Sequence, residues 1–123
     1  GKGLYQPGIQ RIIEKLQSGG IVHIYPEGTR TRTGKIGKGK AGVGRIVQES
    51  RCRVVPCYHS GMEKVLPIGR KFPQPGHRIK IIVGEPLSFD EYFDRESDVH
   101  SWQDISDKII EAIKALRDKL DQV

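Results

Sequence analysis

Residues 21–25, "IVHIY", are entered through Gly19-Gly20 and closed by Pro26. A mostly apolar pentapeptide between breakers is too short for a helix and fits a strand of the buried kind, which needs paired neighbours and cover on both faces. Upstream, Pro7 and Gly8 can open a helix whose Ile9, Ile12, Ile13 and Leu16 recur at helical spacing. Downstream, a helix over residues 40–49 would turn Val43, Ile46 and Val47 inward, and "RVVPCYH" follows as a strand whose Pro56 implies an edge, a bulge or an end. A Pro- and Gly-rich connection over residues 67–76 leads to the strand "RIKIIVG". The chain then closes on "SWQDISDKIIEAIKALRDKLDQV", with Trp102, Ile105, Ile109, Ile113, Leu116 and Leu120 in one stripe and Ser101 or Asp104 able to cap it. Strand and helix alternate, so the expected fold is α/β, a partly parallel sheet flanked by helices. With 123 residues and no internal repeat, a single domain over residues 1–123 is expected.

The composition, 36% hydrophobic and 29% charged, is that of a globular chain, and no apolar run approaches the ~18 residues of a membrane-spanning helix. The opening "GKGLYQPG" has no initiator Met, apolar signal region or Arg/Ser-rich leader, as expected of a cut inside a longer protein or a processed end. Cys52, Cys57 and His59 form C-x4-C-x-H, which lacks a fourth ligand and a zinc-site spacing, so two ordinary thiols and no metal are expected.

Charge divides the chain. Residues 1–84 hold 16 Lys/Arg against 4 Asp/Glu, a net +12, and residues 85–123 hold 5 against 11, a net −6. From Gly28 to Gln48 there are six cations (Arg30, Arg32, Lys35, Lys38, Lys40 and Arg45) and no acid. Such a field favours a polyanion: nucleic acid, nucleotide, or an anionic lipid head group and membrane surface. Gly34, Gly39 and Lys40 match G-x-x-x-x-G-K, but Ala41 stands where Ser or Thr would hold magnesium. Gly37, Gly39 and Gly42 match G-x-G-x-x-G, yet the preceding strand ends about ten residues earlier, and five glycines in residues 34–44 produce such matches by chance. The basic run contains no Phe, Tyr or Trp on which bases could stack, and no G-x-S-x-G elbow occurs. A nucleotide- or nucleic-acid-binding module is therefore the weaker alternative.

The remaining constellation is "YPEGTR". It sets Glu27 and Arg30 at the C-terminal end of the expected strand, where α/β folds tend to keep their sites. Gly28 allows close backbone approach, Thr29 offers a hydroxyl, and Arg30 a planar fork suited to phosphate. Glu27 can fix that arginine or accept a substrate hydroxyl. An ordinary surface ion pair at a turn is equally compatible with the pentapeptide alone. His23, inside the apolar run, is expected as a satisfied core histidine.

"YPEGTR" resembles the Pro-Glu-Gly-Thr-Arg block of the glycerophospholipid acyltransferases, which use a catalytic His-x4-Asp motif, and within them the tafazzin-like group. "GKGLYQPG", "VHIYPEG", "GVGRIVQES" and "VVPCYHSGMEKVLP" carry the likeness in order from Gly1 to about Pro67; beyond Gly69 it is only general. The resemblance implies that Glu27, Gly28, Thr29 and Arg30 bind the glycerol-phosphate part of the acyl acceptor, with Arg30 on phosphate. It puts Lys40 at a basic-x-Gly position beside them and gives Val55, Pro56 and His59 a pocket-shaping role. The sequence departs from the pattern at Gly39, where an aromatic is usual, and in "TRTRT", which is closer to lysophosphatidate acyltransferases. Five positions after His23, His59, His77 and His100 stand Gly28, Lys64, Ile82 and Ile105, so the His-x4-Asp motif is absent and the fold is expected to be incomplete at its N-terminus. The expected function is thus that of the C-terminal part of an O-acyltransferase moving a fatty acyl chain to a lysophospholipid, of the cardiolipin-remodelling type. This chain alone would be inactive. The resemblance further implies phospholipid and lysophospholipid substrates, interfacial attachment to mitochondrial membranes, no cofactor and no nucleic acid. A non-catalytic anionic-lipid-binding remnant is the alternative from another class.

Overall fold

The computed structural model describes residues 6–27, 36–60 and 79–121. The first helix, α1 (Gln6–Gln17), buries Ile9 and Ile13 against Ile46, with Ile12 and Leu16 beside them. It stops where the glycine pair requires. Gly20 N–H donates to the Lys15 carbonyl (2.9 Å) and Gly19 N–H to that of Leu16 (3.1 Å), with Gly19 at φ 90°, a conformation that glycine adopts without a Cβ penalty.

Helix α2 (Ala41–Ser50) lies at the centre. Ile46 faces α1, while Val43 and Val47 join Phe89, Tyr92, Ile105 and Ile109 in the larger core cluster. The long helix α4 (Val99–Asp121) supplies the last two. A Cβ on Gly44 would strike the carbonyl of Trp102, so the two helices meet there backbone to backbone. Asp98 caps α4: its Oδ1 accepts from Ser101 N–H at 2.9 Å, replacing the expected caps Ser101 and Asp104, because the helix begins one turn earlier. Its buried face is also wider than the expected stripe, since Ser106 and Ile110 are covered too.

Between them, α3 (Asp90–Phe93) is a single turn. Gln48 of α2 donates its side-chain amide to the carbonyls of Tyr92 (2.8 Å) and Arg95 (3.2 Å), satisfying backbone that the short turn leaves open. Arg95 and Lys108 lie over the Tyr92 ring at 4.4 and 4.9 Å, in cation–π geometry. Lys108 also pairs with Glu91 at 2.7 Å. That hydrogen bond and charge hold the Glu91 carboxyl below its ordinary 4.5 and the Lys108 ammonium above its ordinary 10.5. A lowered acid stabilises the fold above its unfolded pKa and loses that contribution as pH falls through the folded value; the raised lysine does the converse at high pH. Both groups are exposed and screened by salt. Glu91→Gln is therefore expected to unfold slightly earlier than the parent in urea at pH 7 and low salt. The gap should close as pH falls through the lowered Glu91 pKa, or in about 1 M salt; a gap that persists there would assign the effect to packing.

The described sheet has two strands, β1 (Cys57–Ser60) and β2 (Lys80–Val83), antiparallel, with Cys57 opposite Val83 and His59 opposite Ile81. The expected partly parallel sheet does not occur among the described residues. The parallel pairing needed residues 21–25 beside residues 53–59 across α2, and residues 21–25 form no ladder there; Ile21 is 94% exposed. Burial preference is written in a sequence, but the neighbour that completes a strand is not. His23 is likewise exposed, its ring tilted 50° to that of Tyr25 at 5.1 Å, and is not the expected core histidine. Pro56 stands immediately before β1, a strand boundary as expected. Beyond it Val54 bridges Leu87, one residue out of step with the β1–β2 register, which marks a bulge on the second strand. One face of the hairpin packs toward α4, through Pro56 and Gly84 against Leu116. The other leaves Val55, Ile79, Ile81 and Val83 exposed.

Candidate functional site

The site is built around the turn at Pro26-Glu27. The Pro26 carbonyl accepts from Lys40 N–H at 2.7 Å, and Glu27 Oε2 accepts from Gly37 N–H at 2.9 Å. Two bonds thus join the start of the basic run to the start of α2. Closing a stretch of about ten residues costs conformational entropy that grows only slowly with length, and an exposed bond to a carboxylate offsets only part of it. Gly28, Thr29 and Arg30 fall in the stretch between and lie outside the described residues. Lys40 occupies the N-cap position in extended backbone (φ −87°, ψ 142°), with no side-chain cap and no acid in the first helical turn. The partial positive charge of that helix end is therefore left uncompensated by acids, an arrangement that favours anions.

Behind the turn lies a cavity of about 270 Å³. Glu27, Val55, Pro56 and His59 all line it, together with Ile24, Val43, Val47 and Ile113 from the core side. Four of the residues expected at the site therefore surround one space, although they come from segments about thirty positions apart in the chain. Lys40 does not line it; it is exposed, with its N–H on the Pro26 carbonyl. His59 presents its ring edge-on to Tyr25 at 6.2 Å, and its Nδ1 is buried with no hydrogen-bond partner among the described residues. The space thus has apolar walls, a carboxylate at one end and an imidazole with unused hydrogen-bonding capacity. It suits an apolar guest carrying one polar end.

Two contributors carried no usable sign in the sequence. Gly37 acts through its main-chain N–H, which every non-proline residue has, so the glycine-rich run concealed it. Tyr25 stood in an apolar run and was indistinguishable from a core aromatic. The departure at Gly39 has a physical reason. It is buried, and a Cβ there would strike Ser106 Oγ and lie 2.9 Å from Ile110 Cγ1, so α4 occupies the room an aromatic would need. Gln103 of α4 also donates to the Gly39 carbonyl at 3.1 Å. Cys52 and Cys57 are free thiols. No helix among the described residues is long and apolar enough to cross a membrane.

A family model described as "Acyltransferase" matches residues 2–60, the stretch that carries the turn, α2 and the cavity wall. The chain is similar to Taffazin of Dictyostelium discoideum, 33% identical over 125 residues, which cover 96% of this chain and 44% of that protein. It is similar to Tafazzin of Drosophila melanogaster, also 33% identical, over 95% of this chain and 33% of that one. A chloroplastic 1-acyl-sn-glycerol-3-phosphate acyltransferase of Arabidopsis thaliana is 29% identical over 64% of this chain and 22% of its own length. The chain spans less than half the length of each of these relatives. No solved structure matches it. The block around Glu27, the helix after it and the strand beyond are thus shared with proteins of one kind, and the chain belongs to the acyltransferase family, with the tafazzins among its relatives.

Proposed function

We propose that the whole protein transfers a fatty acyl group to a lysophospholipid and that this segment, the C-terminal part of a single acyltransferase domain, supplies the acceptor-phosphate site. Glu27, Gly28, Thr29, Arg30 and Lys40 form that site, with Arg30 on phosphate, and Val55, Pro56 and His59 shape the adjoining pocket. The observation that carries this reading is the cavity itself: Glu27 meets Val55, Pro56 and His59 around one largely apolar space, directly beside a basic run. A lysophospholipid has that pairing of an anionic head and an apolar tail. The name of the Arabidopsis thaliana relative, a 1-acyl-sn-glycerol-3-phosphate acyltransferase, supports an acceptor of this class.

In such a transfer the acceptor hydroxyl attacks the acyl carbonyl while a histidine base takes its proton. These 123 residues hold no His-x4-Asp, so the segment's share is binding and orientation, and alone it is inactive. Cardiolipin remodelling at a mitochondrial membrane is the specific role we infer, supported by the tafazzin relatives. Attachment is peripheral: cations near an anionic leaflet contribute about 1 kcal/mol each. In the whole protein residues 21–25 enter a partly parallel sheet, a reading supported by their apolar, unladdered state. The same residues would serve a non-catalytic lipid binder. Activity of the whole protein separates the two.

Arg30→Ala is expected to weaken calorimetric binding of sn-glycerol 3-phosphate by about tenfold or more, in line with the ~1.5–3 kcal/mol of a charge-assisted contact. Unchanged affinity would remove Arg30, and with it the phosphate assignment. Acyl transfer by the whole protein should fall with the same variant.

A further inference from the structure

We propose that the open face of the β1–β2 hairpin docks this protein on an anionic lipid surface, with Ile79, Ile81 and Val83 entering the bilayer interface. Residues directly opposite in an antiparallel pair share a face. Val83 stands opposite Cys57 and Ile81 opposite His59, so the ladder puts Cys57 on the same side as the aliphatic residues. Ile81 and Val83 are 65% and 62% exposed, and Ile79, Val55 and Cys57 are exposed beside them. Alternate residues of one strand form a contiguous patch, and such patches mark interaction surfaces.

Size and charge decide the partner. Four aliphatic side chains, none more than 65% exposed, fall well short of the ~800 Å² that each side of a stable protein interface buries. A lipid surface requires less, because shallow apolar insertion adds to Coulomb attraction. Arg53 and Lys80 are exposed on the segments that carry the patch. Across residues 53–85 the sequence holds six cations (Arg53, Lys64, Arg70, Lys71, Arg78 and Lys80) against only Glu63 and Glu85. The acid-rich end of the chain supplies α4, which packs on the hairpin's other face through Leu116. An anionic leaflet on the open face therefore meets the cations first. Val55 is exposed on this face and also lines the cavity, so docking brings the cavity to the surface that holds its guest. The choice of lipid rests on the lysophospholipid reading above; the open face does not.

The test is cosedimentation of the 123-residue chain, and of the whole protein, with vesicles of equal parts phosphatidylcholine and phosphatidylglycerol. The parent should bind them, and phosphatidylcholine alone about tenfold more weakly. Equal binding to both would overturn the choice of partner. Ile81→Glu should lower partition by about tenfold or more. Ala115→Glu, the same charge at an exposed position of α4, should stay within about twofold of the parent. Equal losses in the two variants would overturn the proposal, since net charge alone would explain them. Cys57 gives a readout without any substitution: a water-soluble maleimide, followed by peptide mass, should label this free thiol about tenfold more slowly with anionic vesicles present. A Cys57 that the vesicles leave unprotected would overturn the proposal. So would a whole protein indifferent to Ile81→Glu, because the rest of its chain would then cover the face. Binding of sn-glycerol 3-phosphate, which needs no membrane, separates the two readings. A parent that binds it but ignores vesicles overturns the docking face alone. A parent that docks through Ile81 without binding it supports the docking face and removes the acceptor reading.

Discussion

Gly44→Val is expected to lower the midpoint of thermal unfolding by about 15 °C. An ideal Cβ at this position lies 2.7 Å from Trp102 Cα and closer still to its carbonyl, so the obstacle is main chain and cannot turn aside. Ordinary overpacking costs about 1–3 kcal/mol because side chains find other rotamers. Here α2 must withdraw from α4, and Val43 and Val47 lose their seating on Ile105 and Ile109. A cost of about 4 kcal/mol follows, at roughly 4 °C per kcal/mol for a chain of this length. Gly44→Ala is the informative control. Alanine is favoured in a helix interior by about 1 kcal/mol over glycine, so propensity and clash oppose each other. An Ala variant more stable than the parent by about 1 kcal/mol, the full propensity gain, would mean that the helices do not meet at this residue.

The second large effect is expected at Ile105, which is 0% exposed in the centre of the larger cluster. Ile105→Ala should cost about 3 kcal/mol, within the ~2–5 kcal/mol range for truncating a buried isoleucine, and lower the midpoint by about 12 °C. Ile105 of α4 packs among Val43 and Val47 of α2 and Tyr92 of α3, two elements that Gln48 ties to each other, so the surroundings have little room to collapse into the void. Denaturant unfolding gives the same quantity independently, as a lower midpoint at unchanged slope. A loss below about 1 kcal/mol would show a core loose enough to refill.

The helices were legible in the sequence because their information is local. Ile9 and Ile13 in α1, Val43, Ile46 and Val47 in α2, and Ile105 and Ile109 in α4 repeat at helical spacing and are all buried. Even there the breadth of the α4 face escaped. Ser106 is fully covered although its residue type predicts exposure, because it stands beneath Gly39 of the basic run. The strand expected at residues 21–25 forms no ladder among the described residues, for the opposite reason: a strand is completed by a partner whose identity no local pattern contains. Of the site, the residue types at Glu27, Pro56 and His59 could be singled out in advance, and the cavity brings them together. The direction of Glu27 could not. Its partner is a main-chain amide ten residues away, set by the path of the backbone.

The exposed apolar face of the two-stranded hairpin bears on how the cavity behaves. A two-stranded unit open on one side has little cooperative stability of its own, and its backbone opens more readily than helices sealed in a core. The cavity is bounded by both kinds of wall: Val43, Val47 and Ile113 on the helical side, Val54 to Ser60 on the other. The strand wall is therefore expected to yield before the helical one, which faster hydrogen exchange in β1 than in α2 would show.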